Sequence, residues 1–403
     1  MIIRDRYKHS SKRHYEIFLP GELVKPICVS ILIILLLPVS DINAEKLDVL
    51  PTLVLTAGYD DNILFTRKES IADYYIKAVP GLDLKVASQR YDVGLSAYAA
   101  LFRYIEEQDL DTDNYNFDFD GGYSLSARMS IRAKFRYLKD TTLDSELEET
   151  GRVNIRENRE RLQASGQLSY QVDEVSRLGL NYDYRKTNYE SDVRVNRDVH
   201  SIDLSYQRWL VENIDLLSIS PSYDKAVTAT GTEYDYYRLS GGWTHIFSKT
   251  LRMKNILGYG YTVTTEENES STNQVWNADL SVTKSAETTS LKLGFRSDIR
   301  LDSIGELLEV DRIYINLRQS ITERFSFRFY GSGYITRPVE KFDSVDKTYY
   351  VLRPGVAYNM TENHVLTLSY RYQNEYNHNT SEDPGNDRYV IELNLNFKFP
   401  VQK

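Results

Sequence analysis

Closely spaced basic residues are the feature of this sequence with the clearest chemical use. In one stretch they stand at alternate positions, and further along the chain they recur in the same phase of several alternating segments. An arginine fork binds carboxylate, phosphate or sulfate through paired hydrogen bonds, so such residues on one wall predict a track for an anionic or polar solute. The candidate track consists of Arg132, Lys134, Arg136, Lys292, Arg296, Arg318, Arg328, Arg353 and Arg371.

Acidic residues in the same phase leave a second interpretation open. Opposite charges on neighbouring strands can form a cross-strand lattice that stiffens a sheet and binds no solute. The acidic residues concerned are Asp118, Asp120, Asp183, Asp203 and Asp279. Most of them fall on other segments than the larger basic group, and both the lattice and the track remain open at this point.

Histidine is the residue around which nucleophilic catalysis would be built, and the chain offers few. After residue 44 they are His200, His245, His364 and His378. Ser201 is the only serine next to one of them, but adjacent residues of a strand point to opposite faces and cannot form a dyad. The sequence therefore predicts no enzyme, no catalytic residue and no cofactor.

Spaced acidic residues raise the question of a metal site. Asp109, Asp111 and Asp113 stand at alternate positions, as in the first part of a calcium-binding loop. The glycine at the sixth position and the glutamate at the twelfth position of that loop are missing here. The single cysteine, Cys28, lies in the N-terminal apolar segment. We therefore predict solvated loop charge and no metal site.

Long two-faced strands are the elements that would position these residues. The segment from Tyr389 to Phe399 alternates between apolar and polar residues, which is a period of two. The same alternation, broken by turns, recurs back to Leu53. A chain made of such strands can place its apolar faces in lipid and close on itself to remove its edges. The predicted fold is all-β, a transmembrane antiparallel up-and-down β-barrel.

Turn signals set the number of strands. Eight short turns alternate with nine longer polar connections, which predicts about 18 strands, or 16 if the hairpin near residues 74 to 103 is misread. Short turns face the periplasm in such barrels, so both termini would be periplasmic. The turns are centred on Ser88-Gln89, Ser126-Ala127, Asp173-Glu174, Val211-Glu212, Ser248-Lys249, Ala286-Glu287, Thr322-Glu323 and Thr361-Glu362.

Two further patterns bear on the interior and on the regularity of the strands. A barrel of this size, about 30 Å across, is too wide for side chains alone to fill, so we expect a water-filled passage narrowed by loops that fold inward. Pro80-Gly81 and Pro354-Gly355 fall inside predicted strands, where proline removes a ladder donor, and they predict kinks or bulges. Residues 264 to 273 read as one of the longer loops.

Composition excludes a helical membrane protein. Of the 403 residues, 41% are hydrophobic and 32 are tyrosine, and the mean hydropathy is -0.47. The only long apolar run spans residues 27 to 40, whereas a spanning helix needs about 20 residues. Basic residues precede this run and Ala44 follows it, which predicts a signal peptide over residues 1–44 and a barrel over residues 45–403. An uncleaved anchor is the alternative.

The opening of the predicted barrel resembles a known family. Residues 53 to 64 read L-V-L-T-A-G-Y-D-D-N-I-L, in which an aromatic-acidic-asparagine step leaves the first strand, and Pro80-Gly81-Leu82 follows in the next strand. Both features are similar to the putative β-barrel porin 2 family. The resemblance implies an outer-membrane protein of a Gram-negative bacterium that has no catalytic motif and is often found with exopolysaccharide export systems.

The same resemblance implies a function and partners. It indicates a passive conduit for secretion of an exopolysaccharide or capsular polysaccharide, which would work with a periplasmic polysaccharide export protein. Two alternatives stay open: a diffusion or uptake porin for small anionic solutes, and a surface adhesin acting through its loops. The last strand resembles the signal read by the barrel-assembly machinery, so that machinery and outer-membrane lipid are further expected partners. The net charge of -9 gives no indication of a nucleic-acid partner.

Overall fold

The described part of the chain covers most of the predicted barrel. The computed structural model describes residues 46–66, 70–151, 156–191, 193–267, 269–339, 347–378 and 385–401. The predicted signal peptide over residues 1–44, which includes Cys28, lies outside these residues. Within the described ranges, none of the helices has the length and apolar character needed to cross a bilayer.

The alternating segments form long strands, as their period of two predicts. The described residues contain the strands β1 (Lys46–Asp60), β2 (Asp73–Ala87), β3 (Tyr91–Tyr104), β4 (Thr112–Ser124), β5 (Met129–Thr141), β6 (Asn158–Gln171), β7 (Ser176–Tyr189), β8 (Arg197–Val211), β9 (Asp215–Thr228), β10 (Glu233–Ser248), β11 (Leu251–Glu266), β12 (Glu269–Ser285), β13 (Thr289–Leu301), β14 (Leu307–Ser320), β15 (Phe325–Pro338), β16 (Lys347–Asn359), β17 (His364–Asn377) and β18 (Gly385–Lys398). One α-helix, α1 (Thr142–Thr150), lies between β5 and β6, and a 3₁₀ helix spans Gln108–Leu110.

The strands close into a barrel. Each one pairs antiparallel with the next, and β1 pairs with β18 in a register that runs from Thr52 opposite Lys398 to Asp60 opposite Val390. Closure gives every strand two neighbours, which removes the free edges of an open sheet, although β12 pairs with β13 only over residues 278–285. The prediction of 18 strands is confirmed and the alternative of 16 is wrong, because β2 and β3 both form where the doubtful hairpin was expected.

The predicted turns are confirmed as well, since all eight lie between paired strands. We call that end of the barrel the turn end and the opposite one the loop end. In barrels of this type they face the periplasm and the outside respectively, so both ends of the barrel segment are periplasmic. One longer loop was predicted wrongly: β11 continues to Glu266 and β12 starts at Glu269, so most of residues 264 to 273 are paired in the ladder.

The two faces of the wall differ as the alternation requires. Large apolar side chains stand exposed on the outside, where Trp276 is 64% and Ile313 is 66% exposed. Outward tyrosines stack across neighbouring strands near the loop end, with ring centroids 4.9 Å apart for Tyr223 and Tyr237 and 5.0 Å apart for Tyr237 and Tyr261. Such a surface suits a lipid environment, because the apolar side chains can face the hydrocarbon of the bilayer. Aromatic rings are favoured at the interface between membrane and water.

The strand prolines interrupt the ladder without changing its register. Between β2 and β3 the pairing passes from Ala78 opposite Leu101 directly to Gly81 opposite Tyr98. Between β16 and β17 it passes from Leu352 to Gly355 in the same manner. A bulge at these sites is therefore wrong, and the alternative of a kink stays a prediction. Two pairs are missing at each site and no residue is inserted, because proline only removes the donor of one bond.

Candidate functional site: a constriction inside the barrel

The connection between β5 and β6 folds into the barrel and carries α1. Leu143 and Leu147 are four residues apart and share one face of the helix. Gly151 ends the helix with a φ of +70°, and its N–H donates to the Leu147 carbonyl at 2.8 Å. A Cβ at Gly151 would lie 2.9 Å from Cβ of Tyr334, so this position requires glycine for space as well as for conformation.

The apolar face of α1 packs on the wall formed by β14, β15 and β16. Leu143 is 5% exposed and Leu147 is 0% exposed. A loop residue before β2, Phe65, joins the same cluster. The cluster consists of Phe65, Leu143, Leu147, Leu308, Val310, Tyr334, Tyr349 and Val351. Burial of these apolar side chains inside the barrel provides the hydrophobic free energy that holds α1 in the lumen.

Polar contacts tie the helix backbone to the same wall. The Tyr334 hydroxyl donates to the Glu148 carbonyl at 2.7 Å, and the Thr336 hydroxyl donates to the Thr150 carbonyl at 2.9 Å. The Arg353 guanidinium forms an ion pair with the Glu148 carboxylate. Carbonyls at the end of a helix lack partners within it, so the first two bonds satisfy groups that would otherwise be orphaned in the lumen.

The acidic face of α1 meets the opposite wall. The Arg159 guanidinium on β6 lies 3.6 Å from Glu146 and 3.7 Å from Glu149, and Arg161 lies 2.7 Å from Glu149. Burial opposes ionisation of Glu149, but the guanidinium groups of Arg161 and Arg159 outweigh it and hold the pKa of Glu149 below its usual value. The Tyr189 hydroxyl on β7 donates to Glu146 at 3.1 Å. The helix therefore crosses the lumen from one wall to the other.

On one side of α1 the lumen is nearly filled. The buried cluster of Ile63, Tyr75, Tyr104 and Val390 occupies that side and leaves a cavity of about 40 Å³. The Arg388 guanidinium pairs there with Asp60, with Nε 3.0 Å from Oδ1. Packed side chains and a neutralised ion pair leave little room for a solute on this side.

On the other side of α1 a cavity of about 320 Å³ remains open, and basic residues dominate its polar lining. We call it the arginine cavity. Its charged residues are the five arginines Arg161, Arg185, Arg197, Arg238 and Arg300 and the three carboxylates Glu149, Asp224 and Asp298. The formal balance is therefore +2, and an anion is the charged solute that this lining favours.

Ion pairs fix the arginines without neutralising all of them. Asp298 lies 2.9 Å from Arg300 and 3.9 Å from Arg238, so it is shared between two guanidinium groups. Arg185 lies 3.4 Å from Asp183. Two arginines that share one carboxylate hold a fixed geometry and retain donors for a passing anion.

Two loops meet above the arginine cavity at the loop end. The Val195 N–H donates to the Ser303 carbonyl at 2.8 Å, and the Arg194 guanidinium donates to the Ser303 hydroxyl at 2.7 Å. Arg197 donates to the Asp302 carbonyl in the same place. The connections after β7 and after β13 thus bridge the mouth and restrict entry from outside.

Wider compartments follow towards the turn end. A cavity of about 590 Å³ lies against β2 to β6, and another of about 640 Å³ lies against β6 to β11. Both are larger than the arginine cavity beside α1. The prediction that a loop folds inward is confirmed by α1. A water-filled passage through the lumen stays a prediction.

The first three predicted track residues face the lumen and are paired with acids. Arg136 lies 3.4 Å from Asp118, and Lys134 lies 3.4 Å from Asp120. Arg132 forms ion pairs with Asp120 and with Asp92, the latter at 2.9 Å. These contacts are the cross-strand lattice described as the alternative, and a track role for these residues stays a prediction.

The remaining predicted residues also project inward but divide into two groups. Arg296 lies 3.0 Å from Asp279, Arg371 lies 4.0 Å from Glu392, and Arg353 holds Glu148 of α1. Lys292, Arg318 and Arg328 form no ion pair with any residue in the described ranges, and Lys292 lies over the ring of Tyr314 with its Nζ 5.5 Å from the centroid.

The arginine cavity was not predicted from the sequence. Arg197, Arg238 and Arg300 have the inward phase of their strands, and that signal was available. Their relevance depends on α1, because the helix blocks the rest of the cross-section and leaves their side as the opening. Nothing in the alternation of β5 and β6 indicates on which side of the lumen the intervening loop would dock.

Comparison with known proteins bears on the identity of this barrel. Residues 48–204 match the model of the family described as putative β-barrel porin 2, which confirms the resemblance seen at its opening residues. The chain has the fold of an outer-membrane β-barrel. It is accordingly located in the outer membrane of a Gram-negative bacterium. No curated protein is similar enough to match it.

Solved structures similar to this barrel include three outer-membrane proteins. OccK9 (OpdG) of Pseudomonas aeruginosa has 12% identity and a TM-score of 0.49, with 89% of this chain and 99% of that chain covered. OccAB2 of Acinetobacter baumannii has 10% identity and a TM-score of 0.49 at the same coverage. OccK2 (OpdF) of Pseudomonas aeruginosa, solved in complex with glucuronate, has 10% identity and a TM-score of 0.48, again with 89% and 99% covered.

Histidines and spaced acids of this chain lie apart from the arginine cavity. His245 contacts Asp215 at 2.7 Å beside Trp243, and His364 packs on Phe397 with ring centroids 5.3 Å apart. Asp113 pairs with Arg103 at 2.7 Å. Among the described residues there is no group of three His, Cys, Asp or Glu side chains that could hold a metal ion.

Proposed function

We propose that this porin is a passive diffusion channel for small anionic solutes. The observation that carries the proposal is the arginine cavity, where five arginines and three carboxylates line the opening left beside α1. Cations that line a narrow water-filled passage raise the local concentration of anions and lower that of cations. Guanidinium forks add binding geometry for carboxylate and phosphate groups.

The size of the passage supports a small solute. A volume of about 320 Å³ lies at the lower end of the range found for small-molecule sites. The bridge between the loops after β7 and β13 further limits what enters. Larger compartments behind the constriction would let a solute that has passed it continue to the turn end.

Reversal potentials in planar bilayers test this proposal. Under a KCl gradient, the purified porin is expected to prefer chloride over potassium. Replacing Arg185 and Arg300 by glutamine should lower that preference, since two of the five cavity charges are removed. The control is Arg208→Gln, which removes one cationic charge outside the cavity, near the turn end, where the Arg208 guanidinium donates to the Ser176 hydroxyl at 3.1 Å. A cation-preferring parent channel would refute the proposal.

Export of a polysaccharide is the second candidate, and it stays a prediction from the family resemblance. The feature in its favour is a group of inward tyrosines beside α1, where Arg353 lies 5.5 Å from the ring of Tyr330 and Arg312 lies 5.1 Å from that of Tyr334. A hydrated polymer would require α1 to leave the lumen, which the buried leucines oppose. The periplasmic export protein and the barrel-assembly machinery are likewise predicted partners.

Surface polysaccharide in a deletion strain separates the two candidates. Loss of the polymer with an intact outer membrane would support export and overturn the small-solute proposal as the main function. Unchanged polymer together with reduced uptake of small anions would support diffusion. Complementation with the Arg185→Gln, Arg300→Gln double variant then asks whether the arginine cavity is responsible.

A further inference from the structure

Two arginines in the turn half of the lumen face each other across neighbouring strands. Arg318 on β14 and Arg328 on β15 are register partners, and both side chains are exposed inside the barrel. Within the described ranges, neither forms an ion pair or a hydrogen bond. Like charges directly opposite each other destabilise a sheet, so this arrangement costs stability unless something else compensates the charge.

Several other lumen cations have carboxylate partners. On the opposite wall, Arg132 and Arg136 have carboxylate partners on the adjacent strand. Next to the Arg318 and Arg328 pair, Arg296 on β13 is matched by Asp279. A second facing pair of cations, Arg296 and Arg312, differs from this one, because Asp279 lies 3.0 Å from Arg296 and the Tyr330 hydroxyl accepts from Arg312. Arg318 and Arg328 face each other with neither kind of partner in the described ranges.

The surroundings of the two arginines offer donors and no carboxylate. The turn halves of β13, β14 and β15, over residues 289–295, 314–320 and 325–331, contain no Asp or Glu at all. Register places Ser290 next to Arg318, and Lys292 pairs with Asn316 one step further into the lumen. Hydroxyl, amide and ammonium groups therefore surround two open guanidinium forks. We call the facing pair of Arg318 and Arg328, with Lys292 beside it, the dibasic patch.

We propose that the dibasic patch is a binding site for a phosphate group, either inorganic phosphate or the phosphate ester of a small solute. Two forks can take up the oxygens of one tetrahedral anion, and a dianion neutralises the two facing charges in a way that one chloride cannot. This inference rests on the proposed passage of anions and specifies their class. An anion that leaves the arginine cavity meets the dibasic patch before the turn end.

Block of chloride current by inorganic phosphate tests the site. Phosphate is added on either side of a planar bilayer at about pH 8, where it is mostly a dianion. The parent channel is expected to show a phosphate-dependent decrease of chloride current, stronger from the turn end. Replacing Arg318 and Arg328 together by glutamine should raise the half-blocking concentration about tenfold, since two charge-assisted contacts are lost in a water-filled setting.

A matched control removes the same number of lumen charges elsewhere. Lys85→Gln with Arg252→Gln takes one cation from β2 and one from β11, and neither residue forms an ion pair with a described residue. This variant should leave the half-blocking concentration within about twofold of the parent value. Chloride conductance in both variants verifies that the barrels have folded and inserted.

Each outcome has a separate meaning. No phosphate block in the parent channel, or an equal half-blocking concentration in the Arg318→Gln, Arg328→Gln variant and in the control, overturns the phosphate site. The chloride-to-potassium preference from reversal potentials is measured on the same channels and reports the proposed function. A channel that prefers chloride but shows no patch-dependent block would lose only the phosphate site.

Discussion

Substitution of Leu147 by alanine perturbs the constriction while leaving the barrel wall untouched. Leu147 is 0% exposed and packs with Leu308, Tyr349 and Val351 on the far wall. Its side chain contributes to no strand pairing, since α1 lies between β5 and β6. The substitution therefore weakens the docking of α1 and should have little effect on the closure of the barrel.

The magnitude follows from burial. Removing a fully buried leucine side chain costs about 3 kcal/mol when the surroundings cannot collapse into the space. Water in the lumen can enter the space left behind, so we take a value of about 2 kcal/mol as the lower bound. The ratio of docked to undocked α1 should then fall by a factor of about 30 to 150.

Single-channel recording is the assay that detects this change. The parent channel should give a steady current, because the polar bonds from Tyr334 and Thr336 hold α1 in place. The Leu147→Ala variant should show frequent transitions to a larger conductance, corresponding to a lumen without the helix. Its urea unfolding midpoint should remain close to that of the parent. Leu210→Ala, at an exposed position of β8, is the control.

A Leu147→Ala channel that gives a steady current at the conductance of the parent would refute this reasoning. It would mean that the buried leucines do not hold α1, or that the passage does not run beside it. A large fall in the unfolding midpoint would also contradict the reasoning, since it would make α1 part of the cooperative barrel.

Three further predictions concern the closure, the pH dependence and the orientation of the barrel. Arg388→Gln leaves the buried Asp60 carboxylate without its closest cation at the β1–β18 seam and should lower the free energy of unfolding by about 3 kcal/mol, measured by urea titration. The lowered pKa of Glu149 contributes docking energy that is complete above its usual value of 4.5 and is lost as the pH falls further, so current noise should rise in acid. In a cysteine-free background, Ala229→Cys should react with an impermeant maleimide on whole cells and Lys249→Cys should not.

Each of these predictions has its own control. Arg208→Gln disrupts a 4.0 Å pair of exposed side chains with Asp173 and a 3.1 Å hydrogen bond to the Ser176 hydroxyl, and it should cost less than about 1 kcal/mol. Glu149→Gln should remove the part of the acid-induced noise that depends on this carboxylate. Labelling of both cysteine variants in permeabilised cells verifies that each thiol is reactive. Labelling of the Lys249→Cys variant on intact cells would invert the assigned orientation.

The wall of the barrel follows from local pattern because lipid and water impose opposite demands on the two faces of each strand. The segment from Tyr389 to Phe399 shows its period of two without reference to any other part of the chain. Turn residues such as Asp173 and Glu174 mark the ends of strands for equally local reasons. Strand number, pairing order and the inward phase of Arg318 and Arg328 were therefore predictable from the sequence.

The passage was not predictable in this way, because long-range docking creates it. Leu143 and Leu147 signal a short apolar face, but only the folded chain brings that face against Val351 on a strand two hundred residues later. The same holds for charge. The alternation indicates that Arg132 and Arg353 face inward, whereas register gives the first residue an aspartate partner and α1 gives the second a glutamate.

The sequence by itself determined a closed barrel of 18 strands and the identity of the residues that face its interior. These features follow from the period of two along each strand. That period depends only on residues one and two positions apart and on the turn residues between strands. Only the tertiary structure decided where the lumen is narrow and which cations remain unmatched there. Those properties depend on a loop helix that crosses to the far wall and on pairs of side chains that register brings face to face.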